Sequence, residues 1–206
     1  KRFLEGVDTS LAKQYLNFMG PMHLKEKERL LLEENGQALS YTQALCQNVA
    51  TWDNQAKLQY LDFSIYLSEN CLVKTDRASS FNSLEVRVPF LDVELVEFIF
   101  SLPSNYKLHN VTLKYLLKHV ASEILPENIV NRPKKGFSVP VNLWLKKELQ
   151  PQLSSLLNKK RLAKQGIFNP DFANKLLEEH SQEIADHRMV LWNLFIFQQW
   201  YDSWFK

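Results

Sequence analysis

Apolar side chains recur every three or four positions along most of the chain, a spacing typical of amphipathic helices. Strict alternation of apolar and polar residues, which would indicate a strand, never extends beyond about four positions. The pattern therefore predicts a mainly helical protein. The predicted helices cover residues 8–19, 24–34, part of 51–72, 93–102, 113–125 after a Thr112 cap, 126–130, 170–179 after an Asn169 cap, and a buried helix within 191–205.

Residues 131–140, NRPKKGFSVP, interrupt the helical pattern. Two prolines and a glycine prevent a helix, and the residue before each proline favours extended geometry. The expected loop presents Arg132 and Lys134 beside an apolar anchor, Phe137. A rigid loop loses little conformational entropy when it binds an anion. This loop is therefore a candidate phosphate clamp, and Lys134 is its first candidate residue.

A second unusual stretch, residues 72–92, mixes charged and apolar side chains instead of separating them on two faces. We expect the apolar residues between Val86 and Leu91 to anchor this stretch in a core. Neighbouring charges would then be partly buried and would have to pair. Asp92 is placed to cap the following helix. The charged residues of the stretch are Lys74, Asp76, Arg77, Glu85, Arg87 and Asp92.

The chain has 206 residues, 45% of them hydrophobic, which suffices for a core in one domain, with two small domains left open. Its five glycines are all isolated, so this piece carries no glycine-rich phosphate loop. Cys46 and Cys71 suggest neither a disulfide framework nor a zinc site, and we expect no metal ligands here. No apolar run reaches the length of a membrane span, and no signal peptide is expected. A cytoplasmic protein fits these features.

The formal net charge of +2 is too small to indicate nucleic-acid binding. Charge is nevertheless concentrated, because residues 131–161 carry eight basic side chains and one acidic side chain. Most of these lysines are interpreted as solvated helix faces. A second hypothesis remains open, in which a detached helical module binds a protein or an acidic partner through this segment.

Residues 72–92, LVKTDRASSFNSLEVRVPFLD, resemble a signature of glutamine-dependent asparagine synthases, commonly LVKxDRxSMxxSLExRVPFLD. Residues 132–145, RPKKGFSVPVNLWL, are similar to the RPKxGFxxPxxxWL motif of the same family, and KYLLK lies between the two motifs. The resemblance covers nearly the whole chain. It implies that residues 1–206 form the helical C-terminal portion of an α/β synthetase domain of the ATP-pyrophosphatase (adenine nucleotide α-hydrolase-like) type. The glutaminase domain and the phosphate loop would be absent from this piece.

The resemblance also implies an activity, that of a carbon–nitrogen ligase. Such an enzyme uses Mg-ATP to convert aspartate to asparagine through β-aspartyl-AMP, with ammonia released from glutamine. The expected partners are therefore aspartate, ATP, glutamine-derived ammonia and the missing N-terminal part of the same protein, while a homodimer is left open. ATP and Mg²⁺ would be bound mainly by that missing part, so we expect this piece to be inactive alone.

The same resemblance suggests roles for individual residues. Lys134 matches the lysine that sits over the phosphates, and Lys74 matches a position that faces the adenylate pocket. Arg77 and Arg132 are further candidates for binding substrate or nucleotide, although Arg77 could instead pair within the stretch. The expected structural ion network consists of Asp76, Glu85, Arg87 and Asp92.

Two departures from the family pattern leave the substrate open. Asn70 stands where many relatives have aspartate, and Ser80-Phe81 replaces the usual methionine and small residue. A related enzyme that adenylates another carboxylate, including those that form β-lactams, therefore remains an alternative. His180 and His187 are interpreted as surface histidines without a ligand role.

Overall fold

The computed structural model describes residues 6–8, 10–33, 36–133, 136 and 139–205. Helices account for 69% of the chain and strands for 3%, which confirms the predicted mainly helical class. The described residues fall into two compact units. Unit 1 lies within Lys1–Tyr41 and Phe137–Lys206, and unit 2 lies within Thr42–Gly136.

The elements follow one another in chain order with short connections. They are α1 Leu11–Met19, α2 Leu24–Leu30, α3 Gln37–Asn48, α4 Asn54–Leu61, a π-helical segment Asp62–Leu72, α5 Val73–Phe81, a 3₁₀ turn Pro89–Leu91, α6 Val93–Ser101, α7 Ser104–Lys107, β1 Leu108–His109, β2 Thr112–Leu113, α8 Tyr115–Ser122, α9 Glu127–Val130, α10 Val141–Lys146, α11 Gln150–Leu156, α12 Lys159–Gln165, α13 Pro170–Ser181 and α14 Arg188–Trp204.

Unit 1 has a leucine-rich core built from α10 to α14 and the end of α2. The loop after α12 is joined to the end of α2 by backbone hydrogen bonds. Leu32 N–H donates to the Ile167 carbonyl at 3.0 Å, and Asn169 N–H donates to the Leu30 carbonyl at 2.7 Å. The fully enclosed leucines of this core are Leu145, Leu153, Leu157, Leu162 and Leu191.

The predicted cap of α13 is confirmed. The Asn169 side chain accepts hydrogen bonds from the backbone N–H groups of Asp171 and Phe172, and Pro170 occupies the first helical position. Proline costs nothing there, because that N–H has no partner inside the helix. The predicted burial of the C-terminal helix is also confirmed, since one face of α14 lies in the core.

Unit 2 contains one continuous helical run from Asn54 to Phe81, made of α4, the π segment and α5. Asp53 caps this run, because one carboxylate oxygen accepts from Ala56 N–H at 2.9 Å. The other oxygen accepts from the Ser104 hydroxyl at 2.7 Å, which fixes α7 to the start of α4. These hydrogen bonds, led by the one from Ala56, lower the pKa of Asp53.

The aromatic residues predicted as packing bulk in this unit do contact one another. Trp52 packs edge-on against Tyr60 with ring centres 5.9 Å apart. Phe63 makes a similar contact with Phe100 at 5.5 Å. Such T-shaped pairs are typical of packed aromatic clusters.

Two predictions for the segment around residues 108–122 are wrong. Thr112 does not cap a helix, because it lies in β2, which pairs with β1 in a short antiparallel hairpin. Lys114, with φ of 57°, instead turns the chain into α8. The stripe of Leu113, Leu117 and Val120 was expected to be buried, but all three are exposed. Periodicity gave their common face correctly, whereas no element in the described part of the chain covers that face.

The expected apolar anchoring of residues 86–91 is also wrong within this chain. Val86, Val88 and Phe90 are exposed, Phe90 to 69%. The wider unit behaves alike, because the described residues of unit 2 that are fully buried are only Thr42, Val49, Ala56 and Leu61. Unit 2 therefore presents a large apolar surface. Among the described residues, no helix is both long enough and apolar enough to cross a membrane.

Candidate anion-binding face

Helix α5 carries two cations on one face. Lys74 and Arg77 are three positions apart, which places their side chains next to each other on a helix. Both are exposed, and neither forms an ion pair with another residue in the described part of the chain. Two like charges at this spacing destabilise a helix by about 0.2 to 0.5 kcal/mol. A bound carboxylate or phosphate would turn this repulsion into attraction.

The other charged residue of α5, Asp76, lies beside Arg77 in sequence but does not neutralise it. Successive residues on a helix point away from each other. Asp76 forms no ion pair with any described residue, and its backbone carbonyl accepts a hydrogen bond from the Ser79 hydroxyl at 3.0 Å. The two cations of α5 therefore stay available to a ligand.

A tight turn ends α5 and leads into the rest of the signature stretch. Leu84 N–H donates to the Ser79 carbonyl at 2.9 Å, and Ser83 N–H donates to the Ser80 carbonyl at 3.0 Å. Between these bonds Ser83 adopts a φ of 56°, a left-handed conformation that glycine adopts without strain.

Beyond the turn, the structure gives each remaining charge of the stretch a local role. Glu85 and Arg87 form an ion pair of 2.5 Å, with side chains 74% and 85% exposed, so the partial burial expected for them is not found. Pairs this exposed contribute little to stability. Asp92 caps α6 as predicted, accepting from Leu95 N–H at 3.1 Å. No bond joins Asp76 to any of these three residues.

The basic loop is only partly described. Arg132 follows α9, and its backbone N–H donates to the Ile129 carbonyl at 3.4 Å. The Arg132 side chain is exposed and makes no hydrogen bond or ion pair with α5. Lys134, the first catalytic candidate, and Phe137 lie outside the described residues. Within the described ranges, no group of three or more His, Cys, Asp or Glu residues is arranged to hold a metal ion.

Comparison with known proteins places this site in a family. The family model of asparagine synthase matches residues 4–202. The chain belongs to the asparagine synthase family. Asparagine synthetase (glutamine-hydrolyzing) 1 of Bacillus subtilis (strain 168) is 32% identical over 204 residues, which cover 98% of this chain and 32% of the relative. The chain thus spans about a third of that relative's length.

Two further relatives match parts of this asparagine synthase chain. Asparagine synthetase (glutamine-hydrolyzing) 3 of Bacillus subtilis (strain 168) is 32% identical over 152 residues, covering 68% of the chain and 24% of the relative. Asparagine synthetase (glutamine-hydrolyzing) of Gallus gallus is 34% identical over 109 residues, covering 48% of the chain and 19% of the relative. No solved structure matches the chain significantly.

Sequence reasoning misjudged one residue of this asparagine synthase chain. His180 is not a surface histidine, because only 1% of it is exposed. It continues the buried face of α13 after Phe172, Ala173, Leu176 and Leu177, at helical spacing. That spacing was the available signal. Burial, the largest effect, lowers the pKa of His180 below its ordinary value.

The basic segment 131–161 is less unbalanced in the structure than in the sequence. Lys146 pairs with Glu183 at 2.9 Å, and Lys159 pairs with Asp171 at 2.6 Å. Arg161 pairs with Asp202, also at 2.6 Å. Because three of its cations have acidic partners from α13, α14 and the turn between them, this segment offers less free charge to an acidic partner than its composition suggests.

Proposed function

We propose that the chain is the C-terminal part of a synthetase domain that adenylates the side-chain carboxylate of aspartate. Ammonia then attacks β-aspartyl-AMP to give asparagine. Family membership supports the reaction class. The observation that carries the proposal to named residues is the exposed, unpaired cation pair Lys74 and Arg77 on α5.

This cation pair fits the charges that the reaction creates. ATP supplies the adenylyl group, and its transfer builds negative charge on phosphate oxygens and on departing pyrophosphate. Cations fixed at such a site stabilise the transition state more than the ground state. Lys74 would bind a carboxylate or phosphate as a point charge, and the planar guanidinium of Arg77 suits bidentate contacts with the same groups.

The basic loop would complete this arrangement. We propose that Lys134 is the catalytic cation of the loop and that Arg132 assists in holding phosphate. Loss of one such electrostatic stabiliser raises a reaction barrier by about 2 to 4 kcal/mol, which slows the reaction by roughly 30-fold to 1000-fold.

The remaining parts of the site would come from the rest of a longer protein. The chain spans about a third of the length of its Bacillus subtilis relative. That remainder would supply the phosphate loop, the Mg²⁺ ligands and the glutaminase that releases ammonia. It would also cover the apolar surface of unit 2, and we expect the chain alone to be inactive.

The proposal is tested on the complete parent protein by measuring pyrophosphate release from ATP in the presence of aspartate and ammonia. Lys134→Ala and Lys74→Ala should each slow aspartate-dependent release. Lys160→Ala is the matched control, because Lys160 is exposed on α12 and its side chain makes no ion pair with the described residues. Its release rate should equal that of wild type.

Three outcomes would change the assignment. Wild-type rates in both test variants would remove Lys74 and Lys134 from the chemistry. Equal losses in all three variants would indicate a general effect of positive charge. Release that depends on another carboxylate, and not on aspartate, would keep the family and change the substrate.

A further inference from the structure

We propose that the turn between α13 and α14, residues 182–187, is a proton-sensitive switch that the neutral imidazole of His180 holds closed. Protonation of that ring breaks the hydrogen bond that closes the turn and rearranges residues 185–187.

The closed turn depends on one nitrogen of His180. Nδ1 accepts a hydrogen bond from the backbone N–H of His187 at 3.2 Å. A nitrogen that accepts carries no proton, so the proton of the neutral ring lies on Nε2. Nε2 is buried and has no hydrogen-bond partner among the described residues. The ring is therefore enclosed in its neutral form.

Two further contacts hold the same turn. The His187 ring nitrogen Nε2 lies 2.7 Å from a carboxylate oxygen of Glu179. Lys146 on α10 donates to Glu183 at 2.9 Å. Glu183 itself has a φ of 60°, which is unfavourable for a residue other than glycine. Contacts with the surrounding helices thus maintain a strained backbone.

Protonation of His180 is incompatible with this geometry. An imidazolium has two N–H donors and no acceptor, so the His187 N–H would face another donor. Burial lowers the pKa of His180, and the charges of Lys146 and His187 act in the same direction. The Asp186 carboxylate, 3.8 Å from Nδ1, and the Ala185 carbonyl favour the charged ring.

The remaining charges nearby already have partners. Arg188 pairs with Asp186 at 3.1 Å, which weakens the attraction of that carboxylate for His180. Glu179 contacts His187, as described above. Once charged, the His180 ring gains by donating to the Ala185 carbonyl and to Asp186. It therefore exchanges one turn geometry for another.

The turn also forms a wall of a pocket in unit 1. This pocket has a volume of about 460 Å³ and lies between the connection of α1 to α2 and the start of α14. Its lining includes Ala185, Asp186 and His187 from the turn and Met22 from the opposite side. A rearranged turn therefore changes the pocket wall.

The sign of the effect follows from linkage. Because the folded state disfavours the charged ring, the stabilising contribution is complete above the ordinary pKa of histidine, about 6.5, and is lost as pH falls below it. Between pH 7.5 and 5.5, one such group lowers the folding constant by up to about tenfold.

The test uses hydrogen exchange of the His187 amide in the full chain, followed by NMR and corrected for the intrinsic effect of pH. In wild type, protection of this amide should fall by up to about tenfold between pH 7.5 and 5.5. His180→Asn should abolish the fall, because the Asn oxygen replaces Nδ1 as acceptor and does not titrate. His187→Gln is the matched control. It removes the other histidine of the turn, keeps a group that can bond Glu179, and should retain the fall.

Nitrogen NMR of the wild-type His180 ring gives an independent result that needs no variant. The expected form at pH 7.5 is neutral, with the proton on Nε2. A ring that is charged at pH 7.5, or protonated on Nδ1, overturns the proposal. A fall in protection that persists in His180→Asn, or that disappears in His187→Gln, overturns it as well.

Discussion

Two ion pairs of equal length that begin on α12 should differ in what they contribute to stability. Arg161 to Asp202 and Lys159 to Asp171 are both 2.6 Å long. The first pair is only 33% and 43% exposed, and the second is 60% and 83% exposed. Arg161 also donates twice, at 3.2 and 3.0 Å, to the side-chain oxygen of Gln198, which is completely buried.

The loss expected for Arg161→Met follows from these contacts. Hydrogen bonds from a charged group to a buried acceptor contribute about 1.5 to 3 kcal/mol. A partly exposed ion pair adds about 0.2 to 1 kcal/mol. The methionine keeps much of the apolar packing of the arginine stem. We therefore expect Arg161→Met to lower the free energy of unfolding by about 2 to 3 kcal/mol.

Urea unfolding of the full chain, followed by circular dichroism and tryptophan fluorescence, measures this loss. Lys159→Met is the control on the same helix, and its unfolding midpoint should match that of wild type. Equal shifts in the two variants would show that burial of Gln198 does not govern the difference and would refute the reasoning.

Further predictions concern the left-handed turn, a helix cap and the exposed surface of unit 2. Ser83→Gly should raise stability by about 0.5 to 1 kcal/mol, because glycine adopts positive φ freely, whereas Ser80→Gly inside α5 should lower it; thermal unfolding would contradict this if both variants melted lower. Asn169→Ala should cost about 1 kcal/mol through loss of two capping bonds, and Asn193→Ala on the exposed face of α14 should cost almost nothing in the same assay. The chain alone should bind an apolar fluorescent dye more strongly than the complete parent protein, and cooperative unfolding without dye binding would count against the exposed surface.

Local chemistry made much of the fold predictable from the sequence. Helical spacing located α6, and Asn169-Pro170 located the start of α13, because cap and first-turn preferences act over a few residues. Asp92 was predicted as a cap for the same reason. The π segment and the hairpin of β1 and β2 were not predicted. The first depends on a hydrogen-bond register that periodicity alone does not reveal.

Burial was the property least accessible from the sequence. The apolar spacing of α8 correctly placed its side chains on one face, but burial requires another element to cover that face, and the described residues provide none. His180 shows the opposite case. Its residue type suggested a surface position, while its spacing after Leu176 and Leu177 placed it in the core. For the candidate site, the sequence supplied Lys74 and Arg77, and the structure added that they lie unpaired on one face of α5.

The π segment ahead of α5 bears on how the length of this helix can vary among relatives. In the segment, Val73 N–H donates to the Ser68 carbonyl five residues back, whereas an α-helix uses the carbonyl four residues back. One residue fewer in the segment could therefore be absorbed by a change of hydrogen-bond register, without breaking the helix. Such a deletion would turn everything that follows by about 100°, the rotation per residue of an α-helix. Lys74 and Arg77 would then face another direction, so a gap between residues 62 and 72 in an alignment of relatives would mark a helix that aims its cations differently.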